Sequence, residues 1–249
     1  MLKNCKKILN SNNKSIIPSN SVLFKKYKFS KLYKTKNNYM IKQTKFCEHN
    51  KESEILGKLN NNTVIKIYDK YSDEKNNYIL MDYYKNGDLH YNIYTNQIQF
   101  DRNSMNKKFL RNLINPIIYI HNMNIVHLDL KLENYLVDNN NNFVLCDFHK
   151  SKYHTVPYDT KCELDSIVGT KYFIAPEINE KYFTKKSDIY SLGCILYSLY
   201  AKTHYRGDIK YGLLKNIPSK MTSLISDTLR VNPNERPTIY DIKNNYSLK

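Results

Sequence analysis

Apolar positions in the first third of the chain fall in short, closely spaced runs. Between Ser21 and Lys45, Val22, Phe24, Tyr27, Phe29, Leu32 and Tyr33 lead to Tyr39, Met40 and Ile41, with polar Lys36, Asn37 and Asn38 offering a turn between them. Aromatic and β-branched residues in runs of this length predict strands. From Glu48 to Leu59 the spacing changes. Glu52, Ile55, Leu56 and Leu59 stand three, one and three residues apart, which predicts a helix ending near Gly57 and Asn60–Asn62. Val64–Tyr71 and Asn77–Tyr83 read as two further strands. Beyond Asn86 and Gly87 the pattern becomes helical, with Phe109, Leu113, Ile117 and Ile120 at helical intervals. The run Ile189–Ala201 is broken by serines and is too short to span a bilayer, so it reads as a buried helix. The pattern as a whole predicts an α+β architecture: a loosely held basic extension over 1–20, a small β-rich unit over 21–84 and a larger helical unit over 85–249. The change of character at 82–86 is the kind of junction where ligand clefts form.

Composition adds a strong charge bias. Across 249 residues, 39 lysines and arginines face 23 aspartates and glutamates, giving +16. This favours acidic partners, phosphate-bearing surfaces or nucleic acid, although heavy use of Asn, Lys, Ile and Tyr accounts for part of it. No dedicated nucleic-acid motif accompanies the charge, so direct nucleic-acid binding is not expected as the main role. The cysteines Cys5, Cys47, Cys146, Cys162 and Cys194 are scattered and odd in number, which predicts reduced thiols. Met1–Asn10 lacks the apolar core of a secretory signal. An intracellular location, cytoplasmic or nuclear, without membrane attachment is expected. The asparagine patches Asn60–Asn62 and Asn139–Asn142 are short and flanked by apolar residues, and read as turns.

Two apolar runs each deliver an aspartate: Ile125-Val126-His127-Leu128-Asp129-Leu130-Lys131-Leu132-Glu133-Asn134, then Val144-Leu145-Cys146-Asp147-Phe148-His149. Phosphoryl transfer needs one carboxylate to take or orient the proton of an attacking hydroxyl, and separate oxygen ligands to hold Mg²⁺ on the triphosphate. Asp129 suits the first task. Asn134 and Asp147 suit the second, because Mg²⁺ prefers a few protein oxygens together with substrate phosphates.

These segments resemble the protein kinase family, whose catalytic loop reads H-R-D-L-K-x-E-N and whose metal motif is D-F-G. The resemblance continues in Gly169-Thr170-Lys171-Tyr172-Phe173-Ile174-Ala175-Pro176-Glu177, similar to the substrate-docking loop and A-P-E ending. It extends to Ser187-Asp188-Ile189-Tyr190-Ser191-Leu192-Gly193 and to Asn232-Pro233-Asn234-Glu235-Arg236-Pro237. Tyr39-Met40-Ile41-Lys42 is similar to V-A-I-K, and Met81-Asp82-Tyr83 resembles the hinge. What the resemblance implies is a two-lobed kinase fold and an ATP- and Mg²⁺-dependent serine/threonine protein kinase, with Mn²⁺ as an alternative ion and protein substrates, acidic ones or nucleoprotein among them. By position, Lys42 would hold the α- and β-phosphates with Glu52 as ion-pair partner and Glu54 in reserve. Leu32, Met40 and Leu136 join the nucleotide-binding set, as do the hinge residues Met81, Asp82 and Tyr84 and, just beyond them, Asp88. Asp129 would be the catalytic base, Lys131 would neutralise the γ-phosphate, Thr170 would bridge the two, and Asn134 and Asp147 would hold the metal. Asp188 should cap the catalytic-loop backbone, Glu177 and Arg236 should form a buried structural pair, and Leu56, Ile67, His127 and Phe148 should stack as a hydrophobic column.

The chain departs from the family pattern in several places. Lys25-Lys26-Tyr27-Lys28-Phe29-Ser30-Lys31-Leu32 stands where the family has a glycine-rich phosphate loop, Met40 replaces a small residue, and Leu128 replaces the arginine before the catalytic aspartate. Glycines let backbone amides approach phosphate, so nucleotide binding should be weakened or reshaped. Loss of the arginine implies activity independent of phosphorylation on the activation segment, where Ser151, Thr155, Thr160 and Ser166 lie. His149 in place of glycine is expected to restrict the backbone and favour one fixed state. The alternative reading is a pseudokinase: a binding scaffold, or an antagonist of a related kinase. Compactness and divergence of this kind resemble kinases of large DNA viruses or fast-evolving parasites; for a viral kinase, the host cell or virion would be the location.

Overall fold

A computed structural model describes residues 17–45, 51–95, 97–102 and 106–246. The expectations for residues 1–16, for Glu48–Asn50 and for Cys47 lie outside the described residues. The chain divides after Lys85 into two units.

The first unit is a five-stranded antiparallel sheet in the order β1-β2-β3-β5-β4, formed by β1 (Val22–Lys26), β2 (Ser30–Lys34), β3 (Tyr39–Lys45), β4 (Ile67–Ser72) and β5 (Asn76–Asp82). Alternation decides its faces. Ile41, Tyr78 and Leu80 pack on one side with Ile17, Tyr33, Tyr39, Tyr68 and Tyr71. On the opposite side the register pairs Leu32 with Lys42, Lys42 with Ile79 and Met40 with Met81. Directly opposed residues share a face, so Leu32, Met40, Lys42, Ile79 and Met81 line one surface. The helix α1 (Glu52–Lys58) lies on that surface, burying Glu52, Ile55 and Leu56. The strand expected to start at Val64 starts at Ile67 instead. Val64 and Ile65 are buried just ahead of the ladder.

The second unit is mostly helical. Its order is α2 (Leu89–Tyr94), α3 (Lys107–Asn122), β6 (Ile125–Val126), β7 (Tyr135–Val137), β8 (Phe143–Leu145), β9 (Lys152–Tyr153), β10 (Cys162–Glu163), α4 (Pro176–Asn179), β11 (Tyr182–Phe183), α5 (Lys185–Ala201), α6 (Ser219–Thr228) and α7 (Ile239–Asn245). Asn106 caps α3 by accepting from the Phe109 amide at 2.9 Å, and the face Phe109, Leu110, Leu113, Ile114, Ile117, Ile120 is buried. Pro116 sits inside this helix without ending it, because the apolar face on both sides of it is buried. The asparagine patch at 139–142 turns between β7 and β8, where the Asp138 carboxylate accepts from the amides of Asn140 and Asn142. Every residue of α5 is buried, including Lys185, Lys186 and Asp188. It opens on a capping box between Thr184 and Ser187. No helix among the described residues is long and apolar enough to cross a membrane. A sheet-based first unit and a helical second unit are those of the expected α+β kinase fold.

Candidate functional site

In the sheet unit, Lys42 projects from β3 on the surface that α1 covers. Its ammonium donates to both carboxylate oxygens of Glu52, at 2.7 and 2.9 Å, and the two side chains are 9% and 2% exposed. Glu54 instead pairs with Lys58 at 3.0 Å on the outer side of α1. Met40 and Met81 are buried beside each other in register. Asp82 accepts from the Tyr68 hydroxyl at 2.7 Å, and Tyr84 is half-buried two residues on. The stretch expected to be a phosphate loop is the β1–β2 hairpin. Its turn is closed by the Tyr27 amide donating to the Ser30 carbonyl at 2.8 Å, and Tyr27 and Phe29 are exposed. Lysine ammoniums cover both rings, Lys25 at 5.1 Å and Lys28 at 4.9 Å. The hairpin therefore offers side-chain charge where glycine would offer bare amides.

In the helical unit the segment between β6 and β7 carries the polar cluster. Thr170 donates from Oγ1 to Asp129 Oδ1 at 2.6 Å, and Lys131 Nζ donates to Thr170 Oγ1 at 2.8 Å and to Asp129 Oδ2 at 3.2 Å. Asp129 is thus fixed by two donors, one on each oxygen. Gly169 allows this approach: at φ +108°, a Cβ there would lie 3.0 Å from the Leu128 carbonyl and 3.1 Å from the Ile174 side chain. Asn134 donates its amide nitrogen to the Asp129 carbonyl at 2.8 Å, which orients the side chain and leaves Oδ1 as its acceptor end. Asp147 follows β8 in the left-handed region, at φ 64° and ψ 66°, and its carboxylate meets the His149 ring nitrogen Nδ1 at 2.9 Å. One oxygen or nitrogen from each of Asp129, Asp147 and His149 lies within 4.8 Å of the other two. A carboxylate and an amide oxygen are hard donors of the kind Mg²⁺ takes, so Asp147 and Asn134 fit a divalent cation.

Below this cluster, Asp188 on α5 accepts from the amides of His127 and Leu128, both at 2.9 Å. These bonds hold Leu128 at φ 64°, a conformation that costs a non-glycine residue on the order of 1–2 kcal/mol. His121 Nε2 contacts the same carboxylate at 3.0 Å, and its Nδ1 contacts the Tyr158 hydroxyl at 3.2 Å. Because Nε2 must donate to the carboxylate, a neutral ring leaves Nδ1 to accept from Tyr158. A chain of contacts thus joins the 147–177 segment to the backbone beside Asp129. His127 stacks edge-on against Phe148 at 4.9 Å and donates from Nε2 to the Cys146 carbonyl at 3.1 Å. Burial holds its ring pKa below the usual histidine value, partly opposed by Asp188, Asp129 and Asp147.

Two of the named positions are occupied structurally. Asp88 caps α2, accepting from the Tyr91 amide at 2.8 Å, and forms an isolated bridge with Leu136. The left-handed backbone at this turn falls on Asp147, and His149 sits inside the 3₁₀ turn Phe148–Lys150 without a positive φ. His121 and Tyr158 were not found from sequence, since 67 and 37 residues separate the contacts they make. The one available signal for His149 was a histidine two residues from a metal-type aspartate.

Comparison with known proteins adds the following. A family model described as "Protein kinase domain" matches residues 25–246. NUAK family SNF1-like kinase 1 of Homo sapiens is 31% identical over 209 residues, covering 79% of this chain and 31% of its own length. NUAK family SNF1-like kinase 2 of Homo sapiens is 32% identical over 210 residues, with 79% and 32% covered. Serine/threonine-protein kinase PKH2 of Candida albicans is 27% identical over 256 residues, with 93% and 26% covered. The chain spans about a third of the length of the curated relatives it matches.

Proposed function

The chain belongs to the protein kinase family, and on that premise we propose that it transfers the γ-phosphoryl group of ATP, in the presence of Mg²⁺, to serine and threonine hydroxyls of proteins. The observation that carries this reading is the closed triangle of Asp129, Lys131 and Thr170. Asp129 takes the proton as the hydroxyl oxygen bonds to phosphorus and the bond from phosphorus to the ADP oxygen breaks. Lys131 supplies positive charge to the transferred group. Thr170 holds the carboxylate in place, and its presence supports serine and threonine as acceptors, as does the printed name of the Candida relative. When bound, Mg²⁺ neutralises charge on the triphosphate, and Asn134 and Asp147 are the residues that would hold it. Lys42, fixed by Glu52, has the charge for the α- and β-phosphates. Acidic or nucleoprotein substrates suit the +16 charge.

Incubation with labelled ATP and a general protein substrate tests the reading. Asp129→Asn should lower transfer by about 10²–10⁴-fold, the usual worth of a positioned base. Equal silence of wild type and variant with Mg²⁺ and with Mn²⁺ would discard it.

A second reading, a nucleotide-poor binding scaffold, is favoured by the glycine-free β1–β2 hairpin. It requires that Mg-ATP at millimolar concentration leave the melting temperature unchanged. A ligand at a hundred times its Kd would stabilise the protein by about 2.7 kcal/mol, so a clear upward shift excludes this alternative.

A further inference from the structure

His149 stands where a glycine would carry no donor, and its Nδ1 lies 2.9 Å from Asp147 Oδ1. Two donors in neighbouring positions on an octahedral ion with bonds of 2.0–2.1 Å are about 3 Å apart. The pair therefore already has the bite of a chelate. A carboxylate oxygen of Asp129 lies within 4.8 Å of both and adds negative charge beside the pair. His149 and Asp147 are 36% and 32% exposed, which gives an ion access and leaves the imidazole room to turn.

We propose that His149 is a metal ligand, and that with Asp147 it makes this site selective for a first-row transition-metal dication over Mg²⁺. The proposal deepens the reading above and rests on it for Asp147 as a metal-holding residue. The chemistry follows from donor softness. Carboxylate and amide oxygens favour Mg²⁺, whereas an imidazole nitrogen raises affinity for divalent metals in the order Mn²⁺ < Co²⁺ < Ni²⁺ and offers little to Mg²⁺. The competing description is a surface hydrogen bond that steadies the turn Phe148–Lys150 and nothing more.

The two descriptions separate on the choice of substitution. Asparagine at 149 keeps a hydrogen-bond donor for Asp147 near the place of Nδ1 and is a poor ligand for soft dications. Glycine removes the group altogether. Calorimetric titration of the whole chain with Mn²⁺, Co²⁺ and Ni²⁺ chlorides, without nucleotide, reads the site directly, and the Co²⁺ visible spectrum reports nitrogen ligation. Ions on other histidines or cysteines bind wild type and variants alike and cancel. Both His149→Asn and His149→Gly should lose one Ni²⁺ per chain or weaken it by about tenfold or more. The loss should grow from Mn²⁺ to Ni²⁺, with the Co²⁺ spectrum changed and Mg²⁺ binding unchanged. The proposal is overturned if the isotherms and spectrum of His149→Asn match wild type, or if Mg²⁺ and Ni²⁺ weaken equally. A kinase reading that fails would show itself separately, in an Asp129→Asn protein no less active than wild type, while the nucleotide-free titration still reports on His149.

Discussion

Asp129 is positioned by backbone that other residues hold in an unfavourable shape. Leu128 and Asp147 both occupy the left-handed region, and the Asp188 carboxylate, itself fully buried, holds the first of them through two amides. His127 sits at the centre of this arrangement. Its Nδ1 finds no partner among the described residues, its Nε2 donates to a carbonyl, and burial lowers its pKa. Between that lowered value and the ordinary 6.5, the unfolded chain binds a proton that the folded chain refuses. Stability therefore rises with pH through the window and is lost as pH falls below about 6.5, by up to about 1.4 kcal/mol per unit from this residue. Urea unfolding at pH 7.5 and 5.5 should show a larger loss for wild type than for His127→Phe, which keeps a ring against Phe148. Identical losses in the two proteins would remove His127 from the account.

At the scale of elements, α5 organises the helical unit through buried polar groups. Arg236 uses all five of its N–H donors: on both oxygens of Glu177 at 2.7 and 2.8 Å, and on the carbonyls of Lys186, Arg230 and Val231. Ser187 of α5 donates to the same glutamate at 2.7 Å. Removing one member of a buried pair strands the other, at a typical cost of 3–5 kcal/mol. Arg236→Met should therefore unfold at clearly lower urea concentration, and Glu177→Gln in the same chain should recover part of the loss by removing the unpaired charge. A double variant less stable than Arg236→Met alone would contradict this. Both members could be read from the sequence because each lies in a recognisable string, Ala175-Pro176-Glu177 and Arg236-Pro237. The sheet and the long helices were legible as well, since five to seventeen residues are enough for a period to register. Strands of two residues, such as β6 paired with β9 and β10 with β11, are too short for any period. The same limit hid Tyr158, whose hydroxyl reaches His121 and whose ring lies under the Lys185 ammonium at 5.5 Å. Nothing local marks that tyrosine among the chain's 23.

Over the whole molecule, the excess of basic residues is the property most open to test. Lys42 is buried and paired with Glu52, and buried Lys186 pairs with Asp159 at 3.4 Å, so these two account for little of the outward field. The exposed contribution includes Lys25, Lys26, Lys28 and Lys31 on the β1–β2 hairpin, and Lys171 and Arg206 around the Tyr172 ring beside Thr170. Tyr172 also stacks on His204 at 5.3 Å with the planes 7° apart, so the segment after Thr170 presents a flat aromatic surface edged by cations. An acidic peptide is drawn to such a surface and a basic one is repelled, and both effects fade once the Debye length falls below about 10 Å near 0.1 M salt. Raising salt from 20 to 300 mM should lower kcat/KM for an acidic serine peptide by about tenfold and raise it for a lysine-rich one. Lys171→Ala with Arg206→Ala should flatten the first slope while leaving transfer at high salt close to wild type. A common decline for both peptides would mean that salt acts on the fold or on nucleotide binding, and that the charge has no part in choosing the substrate.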